Sequence, residues 1–132
     1  MLLEIDHHSG VPIYRQVILQ IRQQIITDGL KQGDQLETVR DLAARLKVNP
    51  MTISKAYSFL EAQNLVERKR GIGLFVAKVK KAQRSQIKAK LFNDIINKSA
   101  ITAIQLGISE DEAIESFKKH YNEYKSKDGS QK

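Results

Sequence analysis

Arg40, Asn49, Thr52 and Lys55 stand close together in the chain, and Arg68-Lys69-Arg70 run directly into Gly71-Ile72-Gly73. None of these positions pairs a nucleophile with a base. What they offer is donors: guanidinium forks that take a phosphate or a guanine edge through two parallel bonds, a carboxamide, a hydroxyl and ammonium groups. The glycines add backbone without a Cβ, able to enter a minor groove or approach a phosphate. With their neighbours they make a candidate contact set of Thr38, Arg40, Asn49, Met51, Thr52, Ser54, Lys55, Arg70, Gly71 and Gly73. Charge agrees with that chemistry. Between Thr38 and Lys78 there are 8 basic residues against 3 acids, a local net of +5 in a chain whose total is +7. Clustering of this kind is the footprint of a polyanion binder.

Such side chains need rigid elements to present them. Pro12 is suited to a helix start, and Tyr14, Val17, Ile18, Ile21 and Ile25 then recur at helical spacing, predicting a helix from about Pro12 to Asp28. Thr38 reads as an N-cap, with Asp41 placed to return the bond in a capping box, for a second helix over Val39 to Lys47. Val48 fills a tight turn. Asn49 caps a third helix and Pro50 occupies its first turn. On that helix Ile53, Ala56, Tyr57 and Leu60 share one side, while Met51, Ser54, Lys55 and Ser58 share the other, with Thr52 at the flank. Leu65–Arg68 and Leu74–Ala77 are β-prone runs closed by Arg70-Gly71-Ile72-Gly73, which reads as a hairpin. Helix, turn, helix and basic hairpin is the plan of a winged helix-turn-helix, which lays its second helix of the motif in a DNA groove. The fold class expected is mainly α with a small β-hairpin wing, followed by a two-helix appendage.

Composition removes several other classes. Zero Cys excludes disulfides, thiolate metal sites and Cys nucleophiles, and fits a reducing interior. No apolar run approaches the roughly 20 residues of a membrane span. The beginning, Met1-Leu2-Leu3-Glu4-Ile5-Asp6, lacks the pattern of a signal peptide, so a cytoplasmic protein is expected, with no membrane partner. Asp6-His7-His8 with Glu4 could hold a metal in principle, but they read better as exposed residues of an N-terminal arm that is irregular or strand-like. No phosphate loop, nucleophile–base spacing or paired-carboxylate motif supports an enzyme, and no cofactor is expected.

The same stretches resemble the N-terminal domain of GntR-type bacterial transcription regulators. The resemblance runs through Pro12-Ile13-Tyr14, Leu30 to Leu36, Val39-Arg40-Asp41-Leu42-Ala43, Leu46 to Thr52, Leu60-Glu61 to Leu65-Val66 and Arg70 to Val76, about residues 11 to 78. It implies that Arg40, at the start of the second helix, contacts DNA, that Asn49, Thr52 and Lys55 occupy recognition-helix contact positions, and that Arg70, Gly71 and Gly73 form the wing tip. Arg68 and Lys69 are expected beside them facing phosphates, one of the three basic residues being simply solvated. Three departures stand out. Glu37 replaces a proline and brings an acid near the expected phosphates, Leu74 replaces a hydroxyl residue after the wing, and Gln32 replaces a turn proline.

The remaining residues narrow the resemblance. A basic run, Lys80 to Lys90, leads into an apolar helix, with Gly107 as its stop and Ser109 with Glu112 opening a last helix before a polar tail from Ser126. Two helices are far less than the effector domains of the larger GntR groups and resemble the small YtrA-type group, as does Asn49-Pro50-Met51-Thr52. Domains are expected at 1–78, binding DNA, and 79–132, a helical dimerisation region. The interface candidates are Ile87, Leu91, Phe92, Ile95, Ile96, Ile104, Ile114 and Phe117, apolar residues covering more of the two helices than packing on one small domain requires. The resemblance implies a homodimeric repressor, often of transporter genes, and isologous pairing then implies double-stranded DNA with a palindromic operator. Any small-molecule effector would have to sit in a cleft between protomers. The rival reading is a winged-helix protein-interaction module, disfavoured because the free face of the third helix carries Ser, Lys and Thr rather than apolar or acidic residues. RNA binding would bring aromatic stacking platforms, whereas the aromatics here sit mostly on apolar stripes.

Overall fold

The computed structural model describes residues 1–127. Its elements run α1 (Ile13–Ile26), α2 (Val39–Leu46), α3 (Pro50–Ala62), β1 (Val66–Lys69), β2 (Gly73–Val76), α4 (Lys81–Gln105) and α5 (Glu110–Lys127). The expected order is present, with ends shifted by a residue or two. Helix α2 stops one residue early because Lys47 turns into the left-handed region at φ 58°, ψ 47°. The polar tail expected from Ser126 begins inside α5; residues 128–132 lie outside the described residues.

The chain divides into two compact units, Met1–Lys88 and Ala89–Lys132. The first holds the core. Val17, Ile18, Ile21 and Ile25 of α1 meet Leu42 of α2, Ile53, Ala56, Tyr57 and Leu60 of α3, and Leu74 and Val76 of β2. All of these are buried, so the helical stripe read on α1 and the inner face read on α3 are the faces that burial selects. Leu74, standing where a hydroxyl was expected by resemblance, is a core residue.

Strands β1 and β2 pair antiparallel from Val66 with Val76 to Lys69 with Gly73. A third segment joins them. The Val76 N–H donates to the Asp34 carbonyl at 2.8 Å and the Leu36 N–H to the Leu74 carbonyl at 2.9 Å, with Gln35 opposite Phe75. The wing is therefore tied to the segment that leads into α2, which holds the hairpin beside α2 and α3.

The N-terminal arm is pinned by glutamines spaced one turn apart on α1. Gln20 exchanges both bonds with the Glu4 backbone (2.9 and 2.6 Å), and Gln24 donates to the Leu2 carbonyl. Gln16, 9% exposed, accepts from the Asp6 N–H and donates to Asp6 O, Val11 O and the Ser9 hydroxyl. Carboxamides at i, i+4 and i+8 thus stand in for the edge of a strand. Gln16→Ala leaves the arm's polar groups unpaired at a closed site. We expect a loss of about 1–3 kcal/mol, read as a lower urea midpoint at unchanged m-value.

Helix α4 begins in the first unit. Ile87 is half-buried against its core, so this residue of the expected dimer interface is packed within its own protomer. The second unit is different: α4 and α5 contain no buried residue at all. Gly107, at φ 73°, ends α4, with the Ile108 N–H reaching back to the Ala103 carbonyl at 2.8 Å. Ser109 and Glu112 form a complete capping box at the start of α5: the Glu112 N–H donates to the Ser109 hydroxyl and the Ser109 N–H to the Glu112 carboxylate.

Candidate nucleic-acid interface

The start of α2 is set by Thr38, whose hydroxyl oxygen accepts the Asp41 N–H at 3.1 Å. The return half of the capping box, from the Asp41 carboxylate, is absent among the described residues. Arg40 then sits in the first turn of α2, exposed, with no hydrogen bond or ion pair among the described residues. Neither Asp41 nor Glu37 takes it. Glu37 is bound instead by Arg45, whose guanidinium makes two bonds to its carboxylate, at 2.5 and 3.2 Å. That hydrogen bonding holds the Glu37 carboxyl below the usual carboxylate range, and Arg45 also donates to the Met1 carbonyl. The acid that the sequence places near the expected phosphates is thus neutralised within the protein, and the Arg40 donors stay free.

Asn49 caps α3: its side-chain oxygen accepts the Met51 N–H at 2.8 Å, leaving the amide N–H groups unused by the cap. Pro50 follows in the first turn. Met51 (75% exposed), Ser54 and Lys55 are on the exposed side of α3, and Thr52 is half-buried at the flank. Lys55 has a partner that spacing did not foretell. Its ammonium lies over the ring of Tyr14 in α1, 3.9 Å from the centroid, a cation–π contact. The inner side of α3 is fixed by Tyr57, whose hydroxyl donates to the Glu37 carbonyl at 2.8 Å and whose phenol pKa is pushed up by burial.

The wing tip is Arg70-Gly71-Ile72. The Ile72 N–H closes the turn on Lys69 O at 2.9 Å, and Gly71 takes φ 76°, the left-handed conformation that glycine adopts without cost. Gly73, at φ 141°, is under a second constraint: a Cβ there would lie 2.7 Å from Gln35 Nε2, which itself donates to the Ile72 carbonyl. Gln35 braces the wing from below. Its signal in the sequence is faint, one polar residue in Asp34-Gln35-Leu36 with no alternation to announce a strand. Of the three basic residues expected to face phosphates, Arg68 bonds to Glu61 at 3.2 Å and Lys69 lies over the Phe75 ring at 4.6 Å. Arg70 is exposed and unpaired among the described residues.

Thr38 and Val39 from the start of α2, Ser54 and Tyr57 from α3, and Arg68 and Gly73 from the wing line one open concavity of about 190 Å³. Three elements therefore line one surface, and Glu37, the carboxylate that also lines it, is held by Arg45. His7 and His8 are exposed in the arm, Asp6 accepts the His8 N–H, and no metal-binding cluster occurs among the described residues. No described helix is long and apolar enough to cross a membrane.

The profile of the bacterial regulatory proteins of the gntR family matches residues 13–76. The HTH-type transcriptional repressor YtrA of Bacillus subtilis is 33% identical over 107 residues, covering 81% of this chain and 82% of its own. The chain belongs to the GntR family. A second relative, the HTH-type transcriptional regulator YhcF of Bacillus subtilis, is 36% identical over 110 residues, 83% of this chain and 90% of its own. A GntR family transcriptional regulator from Listeria monocytogenes superposes with TM-score 0.73 at 31% identity, over 87% of this chain and 98% of that one. Agreement along nearly the whole length of such short regulators places this GntR chain in the YtrA-type group. Its relatives are transcriptional regulators, not enzymes, and the winged helix-turn-helix is their DNA-binding fold.

Proposed function

We propose that this GntR regulator is a homodimeric repressor that reads a palindromic operator with α2, α3 and the wing of each protomer. The observation that carries the dimer is the second unit. Phe92, Ile95, Ile104, Phe117 and Tyr121 are each about half exposed or more, on two helices without a core of their own. Two isolated helices in water do not hold such a surface open. A matching copy buries it, and fully burying each Ile or Phe side chain contributes about 1.5–3 kcal/mol. Isologous pairing presents two identical reading heads to duplex DNA, and successive major-groove half-sites about 34 Å apart then follow.

In each head Arg40, Asn49, Thr52 and Lys55 take the groove and Arg70 with Gly71 the flanking backbone, Thr38, Met51, Ser54 and Gly73 completing the surface. Arg40 supplies base readout through its fork, and Arg70 acts on phosphates. The repressing sign is supported by the YtrA relative, a transcriptional repressor; transporter genes are the targets that the YtrA-type resemblance implies. A cleft formed between protomers by α4 and α5 is where an effector would enter.

Titration of the purified protein against its own promoter duplex and a scrambled duplex, at several salt concentrations, tests the reading. We expect an excess of about 10³ or more for the promoter and a salt slope of about 0.9 per phosphate contact. Equal, weak binding to both duplexes would refute operator reading at that promoter.

A further inference from the structure

The wing tip overhangs the backbone bonds that support the rest of the hairpin. Pairing of residues 33–36 with β2 starts where the Gly33 N–H donates to Val76 O at 2.9 Å. It continues with Val76 N–H on Asp34 O and, among the described residues, ends with Leu36 N–H on Leu74 O, because Thr38 then turns the chain into α2. Arg70, Gly71 and Ile72 lie beyond that last bond. A hairpin of two four-residue strands is marginal without a further partner. At the tip a side chain takes that part. Gln35 stands opposite Phe75, and it therefore shares a face of the wing with Phe75 and with Gly73. The missing Cβ of Gly73 leaves a track along that face, which the Gln35 carboxamide fills. Its Nε2 is 2.7 Å from where the Cβ would lie and donates to the Ile72 carbonyl at 3.1 Å. One more N–H to carbonyl bond thus continues the ladder past its last backbone step.

We infer that Gln35 is a positioning residue for DNA binding: by holding the Ile72 carbonyl it sets where Arg70 and Gly71 stand beside the start of α2. This rests on the reading of the wing tip as the element that takes the phosphate backbone flanking a half-site. Gln35 brings no charge of its own to a phosphate. What it brings is a short mechanical path, from the segment just before the Thr38 cap of α2 to the residue after Gly71. Arg70 is exposed and unpaired among the described residues, so its guanidinium is aimed by the backbone that carries it. Ordering such a long side chain at the moment of binding costs free energy, and a tip fixed beforehand lowers that cost. Gly73 is needed for the same reason as well as for its backbone conformation, since any side chain there would push the carboxamide off Ile72.

The test titrates wild type, Gln35→Met, Arg70→Ala and the double variant against the promoter duplex and the scrambled duplex. Methionine keeps the length of the side chain and removes the donor, and Gln35 is exposed, so the change opens no cavity. Gln35→Met should weaken binding to both duplexes by about threefold to tenfold, the size expected when one long side chain must be ordered on binding. The ratio of promoter to scrambled affinity should stay as in wild type, because phosphate contacts carry no sequence. In the Arg70→Ala background the same substitution should change affinity by less than about twofold, the mark of two residues acting through one contact. A merely structural role would not show this, since lost folding weakens both backgrounds by the same factor. Gln35→Ala, alone and with Arg70→Ala, gives the same reading should Gln35→Met fold poorly. An equal loss in both backgrounds, or a loss confined to the promoter duplex, would overturn the inference. So would wild-type affinity in both Gln35→Met and Gln35→Ala while Arg70→Ala binds weakly, and the wing reading would then stand. Wild-type affinity in Arg70→Ala would take the wing tip off the DNA, and this inference with it.

Discussion

Replacing Phe92 and Ile95 together with glutamate will yield a protein that sediments as monomer, keeps its folded winged-helix unit, and loses most of its affinity for a palindromic operator. Phe92 is 52% and Ile95 62% exposed within the protomer, and neither belongs to the core of the first unit. In a dimer the same carboxylates enter an apolar interface without partners, where each costs far more than the burial it replaces. Four such charges per dimer meet across a symmetric contact. The cost to DNA binding follows from avidity: joining two heads raises affinity over one head by about 10²–10⁴, and that factor is what the variant gives up. Affinity for a single half-site should barely change. A double variant that still sediments as dimer would place the interface elsewhere on the chain.

Local rules made much of this molecule legible before any coordinates. The caps at Thr38, Asn49 and Ser109, Pro50 in the first turn of α3, the glycines of the wing and the stop at Gly107 act within a few residues of themselves, and they sit where sequence pattern puts them. Periodicity likewise gave the buried sides of α1 and α3. What stayed hidden depends on segments meeting across long separations. Gln16, Gln20 and Gln24 look like polar surface until the arm is found beside them. The pairing of residues 34–36 with β2 has one apolar side chain to signal it. Ile87 reads as continuous with Leu91, yet it faces its own core, because hydrophobic spacing shows that a face is buried and not which surface buries it.

The candidate interface divides along the same line. Exposure of Arg40, Met51, Ser54 and Arg70 follows from which helix face or turn they occupy. The partners of the basic residues do not follow: Arg45 is turned to Glu37, Arg68 to Glu61, Arg84 to the end of α1, Lys55 to Tyr14 and Lys69 to Phe75. Counting cations in the sequence therefore overstates the donors free to meet DNA. Arg40 and Arg70 remain unengaged among the described residues, and they differ in setting, one in the first turn of α2 and one at a hairpin tip.

That difference makes Arg40→Ala the most informative single substitution in the reading head. The guanidinium gives up no internal bond on meeting a base, so the full worth of a bidentate contact is available, about 1–3 kcal/mol in discrimination per half-site. Lys55 starts from a cation–π contact worth about 0.5–1 kcal/mol at an exposed site, and its net gain on leaving Tyr14 is smaller by that amount. Arg40→Ala should thus lower promoter affinity by about tenfold or more per half-site while scrambled affinity changes little, and Lys55→Ala should do less. Arg40→Lys should not restore discrimination, because a single ammonium cannot reproduce the fork. Titration of the three variants against both duplexes, with the salt slope recorded, separates the roles. A loss equal on both sequences, with the slope reduced by about one per head, would reassign Arg40 to a phosphate, and undiminished affinity on both would remove it from the interface.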